Sequence, residues 1–352
     1  MSEEVRSVGW EAIDNEMERL YGKQEPKHYG PLISYALGGP DPLEGISAYV
    51  SQEPFPHWHL VTYGFSDLYE NENKDSEYSG YGFELTFRLK KDPEEEEPPA
   101  WSLNFLQNLG RYVFSSGNLF REGDYLNANG PIALETDTLI QSIAFIQDPE
   151  LPPIETENGS VEFLQVVGIT LDELEAMQMW NTLSLLQAAS PHLPLYITDL
   201  QRQTFMDEPM MKEALEKGME QDGSNTGFLF LDNLQWLQKK SLLKSTYTLT
   251  VGAKDAPLLA KILKGRISKK RDLTLIGADL SITFTQAEQS EIKAEEANKI
   301  TIGVNDQCMG ELEEVLVPYE SKHNLNSFKK LILQIVKSEI KDQDGKVVKT
   351  IG

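Results

Sequence analysis

The chain has 352 residues, 40% of them hydrophobic and 25% charged, the balance of a soluble globular protein. Single cores stop growing near roughly 250–300 residues, so two domains are expected. No apolar run reaches the ~18 residues of a membrane span, and the one cysteine, Cys308, excludes an internal disulfide and a cysteine-based zinc site.

The formal net charge of −24 is unevenly spread. Residues 233–352 carry 19 Lys+Arg against 15 Asp+Glu, a net of +4, whereas residues 1–232 carry 13 against 41, a net of −28. So acidic a surface repels phosphate backbones, which argues against a nucleic-acid partner, and it attracts a basic one. The N-terminal "MSEEVRSVGWEAIDNEMERLYG" lacks the basic start and apolar run of a signal peptide. With a single cysteine, this makes a reducing cytoplasm the expected compartment.

Along the chain, Trp10, Ile13, Met17 and Leu20 recur at helical spacing, and Gly22 is placed to close that helix. "GGPDP" is a turn cluster. "HWHLVTYGF" and "YGFELTFRLK" read as strands. In the second, Phe83, Leu85, Phe87 and Leu89 alternate with Glu84, Thr86, Arg88 and Lys90, the pattern of a half-buried strand. "KKDPEEEEPPAW" reads as an exposed loop with Glu94–Glu97 solvated. "WSLNFLQNLGRYVFSSG" reads as a helix closed near Gly117, and "TLIQSIAFIQDP" and "VEFLQVVGI" as strands.

"TLDELEAMQMWNTLSLLQAA" has the clearest helical pattern, with Thr170 and Glu173 spaced as a capping box. "PLYITDL" reads as a buried strand and "MMKEALEKGMEQDG" as a helix. "DGSNTG" is a break, and beyond it strand-like segments dominate, with "DAPLLAKILKG" and "CMGELEEVLVP" as short helices or turns. The expected fold is α+β, two mixed α/β domains with packed helices, residues 1–227 and 228–352.

His57 and His59 share one face of their strand, the arrangement of two metal ligands, with Glu53 or Asp67 as a third. No H-E-x-x-H or cysteine ligand accompanies them, so histidines held by hydrogen bonds are the preferred reading, and a metal-dependent enzyme built on this pair the lesser one. No G-x-S-x-G, P-loop or G-x-G-x-x-G occurs. "GRYVFSSGNLFREGDYLNANGP" sets Tyr112, Phe114, Phe120 and Tyr125 among small residues beside Asp124. That composition suits a protein-binding surface and equally a loop packed over the core.

Taken together, "LGGPDPLEGISAYV", "HWHLVTYGFSDLY", "SGYGFELTFRL", "RYVFSSGNLFREGD", "TENGSVEFLQVVGITLDELEAMQMWN", "ITDL" and "KGMEQDGSN" resemble the suppressor of fused family in order and spacing from about residue 8 to 227. "LLAKILKGRISKKRDLTLIGADLSITF" extends the resemblance more loosely to the C-terminal part. It implies a two-domain protein without catalysis or cofactor. In animals such proteins sequester Gli-type transcription factors in the cytoplasm, clamping a Ser-Tyr-Gly-His-like peptide between the domains as an added strand.

Carried onto this sequence, the partner-binding positions are Tyr112, Phe120 and Asp124, flanked by Phe228–Phe230 and by a strand around Leu263–Arg266. An acid facing a partner histidine makes a charge-assisted hydrogen bond. Animal members carry a long disordered insert in the C-terminal half, where this chain has only "FLFLDNLQWLQKKSLL". The compact form is similar to bacterial members, which implies an immunity protein that neutralises a toxin by binding it. A basic toxin domain or a peptide segment of a regulator is then the expected partner, with no membrane involved.

Overall fold

The structure, a computed structural model, describes residues 6–71, 76–134, 136–240, 245–296, 298–341 and 345–352. The chain forms two compact units, one comprising the chain up to Leu174 with Thr182–Met211, the other Glu175–Asn181 with Lys212–Gly352. The boundary read from the sequence at 227/228 falls inside the second unit. Both units are α+β with mixed sheets and packed helices.

The first unit holds helix α1 (Val8–Tyr21), strands β1 (Lys27–Tyr29), β2 (Gly45–Ser51), β3 (His57–Tyr63) and β4 (Tyr78–Lys90), and helix α2 (Ala100–Ser116). Strands β5 (Tyr125–Asn127), β6 (Ile140–Gln147), β7 (Ile154–Thr156) and β8 (Gly159–Thr170) follow. The sheet order is β1-β2-β3-β4-β8-β6-β5, with β7 paired to β8; β4 and β8 run parallel, and the other pairs are antiparallel.

Alternation along β3 builds two cores. Trp58 and Leu60 pack with Leu85 and Phe87 against Leu106, Leu109 and Val113 of α2, while Val61 and Tyr63 pack with Tyr49 and Phe163 against Ile13 and Met17 of α1. Both faces of the sheet are therefore covered, and this corrects the half-buried reading of β4. Glu84, Thr86 and Arg88 are as fully buried as Leu85 and Phe87, and only Lys90 at the end is exposed. The acidic loop after β4 is also tied down. Glu95 accepts from Trp58 Nε1 at 3.0 Å, and Glu97 is hydrogen-bonded to both Lys27 and Tyr29.

The stretch read as one helix is two, α3 (Leu171–Met179) and α4 (Thr182–Ala189). Between them Trp180 is held by residues of the second unit: its Nε1 donates to Asp222 Oδ2 at 2.9 Å and its carbonyl accepts from Asn225 N. "PLYITDL" is not a strand. Leu195 and Tyr196 take φ +49° and +52°, their carbonyls accept from Gln165 Nε2 at 2.8 and 3.1 Å, and only Thr198 bridges to Leu89. Left-handed backbone does not continue a ladder.

The second unit adds α5 (Pro209–Gln221), β9 (Phe228–Phe230), β10 (Gln235–Lys240), β11 (Ser245–Gly252), α6 (Ala256–Ile267), β12 (Leu273–Ile276) and β13 (Ser281–Gln286). It continues with β14 (Glu291–Glu296), β15 (Lys299–Val304), α7 (Asp306–Val315), β16 (Ser321–Asn324), β17 (Leu331–Val336), β18 (Ser338–Lys341) and β19 (Val347–Ile351). Its sheets run β14-β15-β13-β12-β9, β10-β11-β17-β16 and β18-β19. Helix α6 packs on α7 and on β12 and β13.

Candidate functional site

Helix α2 ends at Gly117, whose φ of +72° lets its N–H close back on Val113 O. The cap turns the chain so that Tyr112, on the last turn, meets Phe120 three residues beyond it. The Tyr112 and Phe120 rings stack at 5.6 Å, and Phe120 stacks on Phe145 of β6 at 4.2 Å. Phe120 is buried and Tyr112 is 39% exposed, so the stack runs from core to surface. Phe114 instead packs inward among Phe65, Tyr81 and Tyr35.

Asp124 immediately precedes β5. Its carbonyl accepts from Phe145 N at 2.9 Å, and its Oδ2 accepts from Arg121 N at 2.8 Å. The residue is exposed, yet protein around it removes part of the carboxyl's hydration. That desolvation pushes the carboxyl above its usual range, against the pull of the Arg121 amide and charge. β5 is the last strand of the sheet.

In the second unit β9 is likewise an end strand, paired only with β12 among the described residues. It alternates: Leu229 is buried, while Phe228 and Phe230 are 61% and 75% exposed. Sheet edges in native proteins are normally blunted by charge, proline or a covering element. Residues 225–231 carry no charge, so the strand supplies no charged guard of its own to this edge.

The other two expected positions lie differently. Leu263 and Arg266 are on helix α6 rather than on a strand. Leu263 is fully buried and serves the packing of that helix. Arg266 is partly buried and spends its donors on backbone, Nε to Asp272 O at 2.5 Å and Nη1 to Ser224 O at 3.1 Å.

The histidine pair is engaged by protein. His57 Nδ1 donates to Phe55 O at 2.9 Å. His59 Nδ1 lies 2.8 Å from Tyr21 Oη, and its Nε2 3.3 Å from Asp148 Oδ2. Burial, helped by the Arg88 charge, pushes His59 down to about 4, so the ring is neutral at neutral pH. With the proton on Nε2 of the neutral ring, Nδ1 accepts from the tyrosine and Nε2 faces Asp148 without an aligned hydrogen bond, and His57 Nε2 is likewise buried without a hydrogen-bond partner among the described residues. Asp67 is occupied elsewhere, accepting from Asn71 Nδ2 and Gly80 N. Among the described residues no group of three or more His, Cys, Asp or Glu side chains could hold a metal ion.

Sequence reasoning missed what the polar residues of β4 do. Arg88 grips Asp148 through two nitrogens at 2.5 and 3.1 Å, reaches Glu150 at 3.0 Å and also bonds Gln165. Burial disfavours the Asp148 charge, but its His59 and Arg88 partners outweigh that and hold it well below the usual carboxylate range. Glu84 accepts from Thr62 Oγ1, Gly64 N, Ser66 N and Ser66 Oγ at 2.6–2.9 Å. Burial nonetheless pushes it up to about 7.

A family profile described as suppressor of fused protein (SUFU) matches residues 39–203. The suppressor of fused homologs of Homo sapiens and Mus musculus are each 39% identical over 238 residues, covering 62% of this chain and 48% of theirs. A crystal structure of a Sufu–Fu complex matches at 32% identity and a TM-score of 0.56, over 60% of this chain and 97% of that one. The chain belongs to the suppressor of fused family. It spans about half the length of the curated relatives it matches. The fold agrees throughout: the crystal structure of Drosophila suppressor of fused has a TM-score of 0.76 at 25% identity, covering 95% of this chain and 99% of that one. In this family member, then, the core-to-surface aromatic stack, Asp124 and the end strand β5 belong to one unit, and the end strand β9 to the other.

Proposed function

We propose that this chain is a non-enzymatic protein that sequesters another protein in the cytoplasm, capturing an extended partner segment by strand addition. The observation that carries this is β9, an end strand paired with β12 alone among the described residues, with two exposed phenylalanines and no charged residue of its own. The Asp124 carboxylate, beside the end strand β5, suits a histidine or other cation of the incoming segment.

The net of −28 over residues 1–232 favours a basic partner, and a toxin domain neutralised by binding is the reading it supports. The second reading, retention of a transcription regulator, draws on the likeness to the human and mouse homologs and to the Sufu–Fu complex.

Affinity purification from the native host with mass spectrometry identifies the partner, and titration of a Ser-Tyr-Gly-His-like peptide separates the two readings. Tight peptide binding favours the regulator, and a co-purifying basic toxin favours immunity. In either case Asp124→Ala weakens partner binding by roughly 2–5 kcal/mol without unfolding the protein. Unchanged affinity in both Asp124→Ala and Phe230→Ser removes the strand-addition site. For a basic partner, association slows as salt rises, since exposed charges are screened beyond ~8–10 Å near physiological ionic strength.

A further inference from the structure

A cleft of about 650 Å3 opens in the first unit where the end of α1, the β2–β3 turn and the Pro194–Leu195 segment meet. That volume lies within the ~300–1,000 Å3 of ordinary ligand sites. Leu20, Val50, Pro54 and Pro194 give it apolar walls, and the Tyr21 ring forms one side, stacked on Tyr49 at 4.7 Å. The only charged side chains lining it are two acids, Glu53 and Glu150.

The surrounding charges do not cancel these acids. Beneath Glu150 lies the fully buried Arg88, shared with Asp148. At the outer side Arg19 is paired with Glu16 and donates to the Glu150 carbonyl. Glu150 thus shares one guanidinium with Asp148, and Glu53 has no ion-pair partner among the described residues.

The cleft is also held in shape. Leu195 and Tyr196 occupy left-handed backbone, which for residues other than glycine is a strained conformation that persists only where the surroundings impose it. What imposes it is Gln165, which binds both carbonyls and is itself bound by Arg88. The same guanidinium that positions Glu150 therefore fixes the opposite rim, and a preformed site binds without an ordering cost.

We infer that this cleft binds a cationic group on an apolar stem, an alkyl-ammonium or alkyl-guanidinium. The stem lies along the apolar walls and the Tyr21 ring, and the charge sits between Glu53 and Glu150. The inference does not rest on strand addition, since neither Asp124 nor β9 takes part.

Calorimetric titration of the full chain with N-acetyl-arginine amide, agmatine and, as an uncharged control, N-acetyl-norleucine amide tests it. At least one cation saturates a single site, and the control does not. Affinity falls about tenfold or more in Glu53→Gln, which alters an exposed side chain, and in Ser51→Trp, which fills the cleft. Preference for the arginine amide marks a protein side chain as the source, and preference for agmatine marks a free amine. Failure of both cations to saturate, equal binding of the control, or wild-type affinity in both variants overturns the inference.

Discussion

His59 and Asp148 meet inside the first unit, Nε2 of one 3.3 Å from Oδ2 of the other, with neither side chain reaching solvent. The histidine that looked like half of a metal site is thus one contact of a buried ion network whose cation is Arg88. Three strands hold it, with His59 on β3, Arg88 and Thr86 on β4 and Gln165 on β8, and Asp148 joins them from just past β6.

Breaking that network should destabilise the first unit strongly. Arg88→Met leaves the Asp148 carboxylate buried without its cation, a change that costs roughly 3–5 kcal/mol. Arg88→Met with Asp148→Leu should cost less than the two single changes added together, because no unpaired charge remains. Urea unfolding of the four proteins at pH 7 measures this. Strict additivity would show that the pair is not coupled as the geometry requires.

Two buried groups give stability opposite pH dependences. His59 is lowered to about 4 from an unfolded value near ~6.5, so its contribution is complete above that value and is lost as pH falls toward 4. Glu84 is raised to about 7 from 4.5. Its contribution is complete below 4.5 and is lost as pH rises through 7. Each amounts to roughly 3 kcal/mol, so the two nearly cancel between the carboxylate and imidazole values. Glu84→Gln removes one of them. The stability of the variant minus that of the parent should rise with pH, by up to roughly 3 kcal/mol between about pH 4.5 and 8. A pH-independent difference would mean that Glu84 is ionised throughout.

Much of this fold was legible in the sequence because local chemistry announced it. The α1 periodicity with Gly22, the "FELTFRLK" strand and the closure of α2 at Gly117 all appear where read. What failed was the inference from polarity to exposure. Glu84, Thr86 and Arg88 read as a solvent face, and their partners Ser66, Asp148 and Gln165 lie 18 to 77 residues away in sequence, beyond any local pattern. The α3–α4 break was hidden for the same reason, because the contacts that hold Trp180 come from residues 218–225. At the candidate site, composition left a binding surface and a packed loop equally open, and it was the family resemblance that implied Tyr112, Phe120 and Asp124. Only the sheet order shows that β5 and β9 are edges, and only α6 shows that Leu263 is core.

Gly218 on α5 is a place where propensity and packing give opposite answers. Alanine should gain about 1 kcal/mol of helix propensity over glycine. A Cβ there would stand 2.1 Å from Trp180 Cε2, so the indole must move and give up its bond to Asp222. Overpacking of this kind typically costs roughly 1–3 kcal/mol. Gly218→Ala should therefore lower the thermal midpoint and shift Trp fluorescence toward a more solvated environment. A raised midpoint would mean that Trp180 repacks freely.

The β9 edge makes the last prediction, in which stability and binding part company. Phe228 and Phe230 project from a strand bonded on one side only, and both are mostly solvated, so neither contributes much to folding. Phe230→Lys should change stability by no more than ~0.5 kcal/mol, the range of surface substitutions. On an open strand, however, lysine is the natural guard against pairing with another chain. The same substitution should weaken capture of an extended partner segment by about tenfold or more, and should lower concentration-dependent self-association of the free chain. Sedimentation of the free chain and partner titration measure the two effects separately. A large loss of stability would show Phe230 to be a packing residue, and unaltered binding in a stably folded variant would show that β9 is not the edge a partner uses.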